Sequence, residues 1–135
     1  MIHDQQTNSE IAQDWRVVQK LCEESHRQWM SLGGSIINET RPEDSYNLPL
    51  ILAYAVLDRV LSELRDQGAF TCKRWELGTK MAASQNALPW QDYDLVDNGR
   101  DARNGLAHHA KLLSKADCLR FIDAIESELK AWGIV

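Results

Sequence analysis

NLPLILAYAVLDRVLSELRDQG, residues Asn47–Gly68, is the stretch that decides the fold. Leu50, Ile51, Tyr54, Leu57, Leu61 and Leu64 recur every three or four positions, a spacing that gathers them on one face of a helix rather than on alternate faces of a strand. Asn47 is suited to cap such a helix, Pro49 fits its first turn where an N–H is not needed, and Gly68 supplies a C-terminal stop. A helix with so long an apolar stripe must be covered by other elements, so the sequence predicts a central core helix with amphipathic partners.

Upstream, Thr7, Asn8 and Ser9 offer N-caps, and Ile11, Trp15, Val18, Cys22 and Trp29 follow at helical spacing as far as Gly33-Gly34. Residues 35–46, with Pro42 among them, form the longest loop. Downstream, a shorter amphipathic helix over residues 73–85 uses Trp75, Leu77 and Met81, is weakened by Gly78, and stops near Asn86 and Pro89. Trp90 to Leu113 reads as a further helix, with Leu95, Gly99, Ala102, Leu106, Ala110 and Leu113 as its core stripe. Ser114 opens the last helix, with Asp117 at the capping-box distance; Leu119, Ile122, Ile125, Leu129 and Trp132 form its buried stripe and Gly133 ends it. No strand-period run, repeat or heptad array interrupts this pattern. The expected fold is all-α, a single four- to five-helix antiparallel bundle over residues 1–135.

A chain of 135 residues with 44% hydrophobic and 26% charged residues has the composition of a globular domain and can bury one core. Cys22, Cys72 and Cys118 are odd in number and widely spaced, which fits buried thiols in a reducing cytosol rather than a disulfide framework or a zinc site. No signal-peptide order and no long apolar run suggest export or a membrane span, and no phosphate-loop, serine-elbow or metallopeptidase motif suggests a cofactor or metal. The net charge of −5 argues against an extended basic surface for nucleic acid, so any RNA contact must be local. Basic charge does concentrate between Arg100 and Arg120, where Arg100, Arg103, Lys111, Lys115 and Arg120 face only Asp101 and Asp117.

The chemistry-bearing segment lies in that region: Arg103-Asn104-Gly105-Leu106-Ala107-His108, followed by His109. With Leu106 marking the core direction and about 100° per residue, Asn104, His108, Arg100 and Lys111 share one polar face. Arg103 lies nearer the core direction, where its long side chain can snorkel toward that face or across to a neighbouring helix. His109 points toward the flank of the core, a packing position. Asp58, within the central helix, is a possible acidic partner for the arginine. Of the tryptophans, Trp15, Trp29, Trp75 and Trp132 fall on apolar stripes, leaving Trp90 as the aromatic to watch for base stacking or a dimer contact.

The order of Arg103, Asn104 and a following histidine resembles the active-site motif of the HEPN ribonuclease superfamily, in which an arginine and a polar residue precede a histidine by a tolerant spacing. Both His108 and His109 satisfy that spacing, and the helical wheel favours His108. The resemblance implies a helical bundle of this length acting as a metal-independent endoribonuclease that leaves 2′,3′-cyclic phosphate ends, in a toxin or defence setting with a cognate antitoxin. It further implies a homodimer with the two motifs meeting in one cleft. Histidine suits proton transfer to and from a 2′-hydroxyl, arginine suits the phosphate, and asparagine can orient either. The same residues would also suit a catalytically silent module binding a nucleotide, RNA or a partner protein, or a purely structural helical dimer.

Overall fold

The computed structural model describes the backbone of residues 1–32 and 42–135; Gly33-Gly34 and loop residues 35–41 lie outside the described residues, as does the side chain of Trp29. Among the described residues five α-helices follow in order: α1 (Gln5–Leu32), α2 (Asn47–Asp66), α3 (Leu77–Ser84), α4 (Tyr93–His109) and α5 (Lys115–Ala131), with a 3-10 turn over Pro42–Tyr46 leading into α2. No strand occurs among the described residues.

The expected stripe of α2 is the centre of the core. Leu50, Tyr54, Leu57, Leu61 and Leu64 are fully buried, together with Ala53, Val56 and Val60, while Ile51, expected on the same face, is exposed. α1 covers one side and runs antiparallel to α2. Ser25, late in α1, reaches the Ser45 carbonyl, whereas Arg59, well along α2, grips Glu10 at 2.7 Å and Asp14 at 2.8 Å near the start of α1. α4 and α5 are also antiparallel, because Glu128 near the end of α5 meets the chain entering α4 and Phe121 lies against Gly99. Ile122, Ile125, Leu129 and Trp132 bury as expected, and Leu119 is half-buried.

Several boundaries move for identifiable reasons. Asp4, rather than Thr7, Asn8 or Ser9, caps α1: its Oδ2 accepts from the Thr7 N–H at 3.0 Å and from the Thr7 hydroxyl. Asn47 makes no cap; its amide donates to the Asp44 carbonyl at 2.9 Å and exchanges two hydrogen bonds with the backbone of Leu113. Residues 73–76 precede α3 instead of opening it. Asp92, accepting from Leu95 N–H, caps α4, which begins at Tyr93, three residues after Trp90. At its far end α4 stops at His109, with Ala110 at a positive φ of 51° and its N–H on the Gly105 carbonyl. Ala110 and Lys111 are thus outside the helix and exposed. The expected ends at Gly68 and Ser114 are met: Gly68 has φ 91°, followed by an Ala69 N–H to Leu64 carbonyl bond, and the Ser114 hydroxyl accepts from Asp117 N–H.

The approach of α4 to α2 and α5 depends on Gly99. A β-carbon there would sit on the Tyr54 hydroxyl and 2.7 Å from the Phe121 ring. The Tyr54 hydroxyl uses this closeness to donate to the Val96 carbonyl at 2.8 Å. Glu128, wholly buried, accepts from the backbone N–H groups of Gln91 and Asp92 and so fixes where α4 begins.

Candidate functional site

On α4, Arg100, Asn104 and His108 share one face, as expected from residues one turn apart, and Arg103 joins them from nearer the core. They line a depression of about 520 Å³ with Asp58 of α2 and Trp75, Gly78 and Thr79 at and before the start of α3. The sequence motif and two of its flanking candidates, Arg100 and Asp58, are therefore gathered on one side of the molecule. Lys111 and His109 are not: with Asp101, Gly105 and Leu112 they line a different depression, on the other side of α4. His109 is also exposed rather than packed against the core, since α4 ends at that residue. Lys115 lies over the Tyr46 ring and Arg120 over the Phe121 ring, so the basic run from Arg100 to Arg120 divides among several surfaces.

Within the depression the charges are unequally engaged. Arg100 donates from Nε to Asp97 at 2.8 Å, and its guanidinium lies against α3 at Gly78, where a β-carbon would come within 3.1 Å of it. This close approach gives the glycine of α3 a purpose that helix propensity alone does not. Asp58 is paired at 2.5 Å with Lys80, a lysine only 3% exposed that also donates to Ser62 at 2.7 Å. Asp58 is thus committed to Lys80 rather than to Arg103.

Arg103 has no carboxylate partner among the described residues. Its guanidinium lies over the Tyr54 ring at 5.9 Å from the centroid, and Nη2 donates to Asn104 Oδ1 at 3.2 Å. Its Nε–H is enclosed and meets no acceptor among the described residues. Arg103 therefore reaches inward to Tyr54 of α2, as its place on the wheel allows, while still lining the depression. Burial pushes the Tyr54 phenol well above its ordinary pKa, with Arg103 and Arg100 offsetting only part of this, so Tyr54 acts as a neutral support for the guanidinium. Asn104 orients Arg103. His108, in the last turn of α4, is exposed at the edge of the depression.

The tryptophans exchange places relative to expectation. Trp75 is 78% exposed at the rim of the depression, in the non-helical stretch just before α3. Trp90 is half-buried, donates to the Ser84 hydroxyl at 3.2 Å and packs edge-on against Tyr93 and Trp132. No period or cap signal marks Trp75 as exposed; only its position just ahead of Leu77, where the helical stripe begins, hints at it.

No helix among the described residues is long and apolar enough to cross a membrane, and no cluster of three or more histidine, cysteine or carboxylate groups there could hold a metal ion. Comparison of the chain with protein-family models, characterised proteins and solved structures finds no significant match.

Proposed function

We propose that this chain is a metal-independent endoribonuclease of the HEPN type, with Arg103, Asn104 and His108 as its site. The observation that carries the reading is a guanidinium with no carboxylate partner among the described residues, held by a neighbouring amide and a tyrosine ring, in the same depression as an exposed imidazole. An arginine fork of this kind can grip two phosphate oxygens and meet the charge that grows on them as a 2′-oxygen attacks. His108 exchanges the proton, either taking it from the 2′-hydroxyl or giving one to the departing 5′-oxygen. The products are a 2′,3′-cyclic phosphate and a free 5′-hydroxyl.

One copy offers one histidine to this depression, and the reaction gains from an acid and a base together. A two-fold homodimer that brings two copies of α4 together supplies the second imidazole. The toxin or defence role and an antitoxin partner rest on the resemblance of the motif alone.

The test is RNA incubated with the purified chain in EDTA. Cleavage leaving 2′,3′-cyclic ends is the expected result. Binding without cleavage would favour a silent module that holds RNA or a nucleotide on the same arginine, and neither would remove RNA from the account. Sedimentation at micromolar concentration is expected to give a dimer.

A further inference from the structure

Indole rings are among the largest apolar surfaces a side chain can bury, and cores take them up accordingly. Trp15 and Trp132 are buried in this way and Trp90 packs against its aromatic neighbours, whereas Trp75 keeps 78% of its surface in water although Leu77, two residues on, is buried. The exposed indole is at the rim of the depression that holds Arg103 and His108.

The charges around it specify how much polyanion the depression can take. Asp58 is paired with Lys80, Arg100 with Asp97, and Glu76 lies 3.9 Å from Arg74, leaving Arg103 as the one guanidinium of the depression without a carboxylate among the described residues. A single such charge on a chain of net charge −5 suits one phosphate, not a track along a duplex backbone. Affinity must then come from a contact that is not ionic, and an exposed indole provides one to any base that offers its face. Inside a duplex both faces of a base are covered by its neighbours, so only an unpaired base can make that contact.

We propose that Trp75 is a base platform that makes this site selective for single-stranded RNA, with a phosphate on Arg103 and an adjacent unpaired base stacked on the indole. The inference rests on the reading of this depression as an RNA site. It adds a residue, Trp75, that tells an unpaired base from a paired one.

The test compares the full chain with Trp75→Ala, Trp75→Phe and Arg103→Ala. The probes are a short single-stranded RNA, the same strand annealed to its complement, and ribose 5-phosphate, which has no base. An indole this exposed contributes little to folding, so Trp75→Ala keeps the fold. Loss of one stacking contact should weaken single-strand binding on the order of tenfold to a hundredfold in Trp75→Ala, with Trp75→Phe between it and the wild type. The duplex should bind weakly to every variant, and ribose 5-phosphate should respond to Arg103→Ala but not to Trp75→Ala. With one phosphate engaged, the logarithm of single-strand affinity should fall with the logarithm of salt at a slope of about −0.7.

Wild-type affinity of Trp75→Ala for the single strand overturns the platform, while a loss in Arg103→Ala in the same experiment leaves the site reading standing. Equal weakening of ribose 5-phosphate and single strand by Trp75→Ala would make the indole a support of the arginine, and also overturns it. If neither variant alters binding, or the wild type binds no probe, both readings fall together.

Discussion

Gly99 and Arg103 show how much a single position on α4 controls. Because a β-carbon at Gly99 would strike both the Tyr54 hydroxyl and the Phe121 ring, which are side chains of different helices, Gly99→Ala cannot be relieved by one rotamer change. It should cost about 2 kcal/mol or more by overpacking, read as a lower midpoint in urea with the same slope. Arg103 is different, since its guanidinium rests on the Tyr54 ring and its stem is partly covered. Arg103→Ala should therefore lose about 0.5–1 kcal/mol of stability along with any activity, whereas His108→Ala, at an exposed position, should lose activity with no resolvable change in midpoint. That Asn104 and His108 share a face was legible in the sequence from their one-turn spacing, and the inward reach of Arg103 from its angle on the wheel. The packing reading of His109 failed because it assumed a helix continuing to Leu113.

At the scale of elements, that helix end is the instructive case. Leu106, Ala110 and Leu113 have helical spacing and no glycine or proline intervenes, so nothing local announces a stop at His109. The stop is imposed from outside: Asn47 of α2 holds both backbone polar groups of Leu113, and Ser114 at once caps α5, leaving Ala110 to turn the chain at positive φ. Alanine is strained there and glycine is not, so Ala110→Gly should leave stability unchanged or raise it by up to about 1 kcal/mol despite the added freedom of the unfolded chain. Thermal unfolding followed by circular dichroism checks this. The contact of α1 with α5 carries a pH dependence. Burial raises the Glu126 carboxyl pKa, but hydrogen bonds from Trp15, Gln19 and Lys130 outweigh it and hold the group below its ordinary value. A lowered folded pKa contributes stability above the unfolded value and loses it as the pH falls through the folded one. Glu126→Gln should thus be less stable than the wild type at neutral pH, and the difference should shrink on acidification from about pH 5 to about pH 3. A gap that stays constant with pH would mean the carboxylate is not what joins α1 to α5.

For the molecule as a whole, the helical class and the central place of α2 follow from period and stop signals along the chain, while the composition of the site does not. Helical spacing can put Arg100, Asn104 and His108 on one face and turn Arg103 inward beside them, but it cannot say that Asp58 answers to a buried Lys80 or that Trp75 stands at the rim. Those facts depend on where α3 docks, and α3 docks where Gly78 lets Arg100 approach. The central claim is that Arg103 grips phosphate with its planar fork in the transition state of RNA cleavage, and Arg103→Lys isolates it by keeping the charge and removing the fork. The measurement is single-turnover cleavage of RNA by that variant, with RNA binding measured at the same salt concentration. The account predicts a cleavage rate lower by a factor on the order of 10² to 10³, with a much smaller change in affinity; cleavage by Arg103→Lys at the wild-type rate would contradict it.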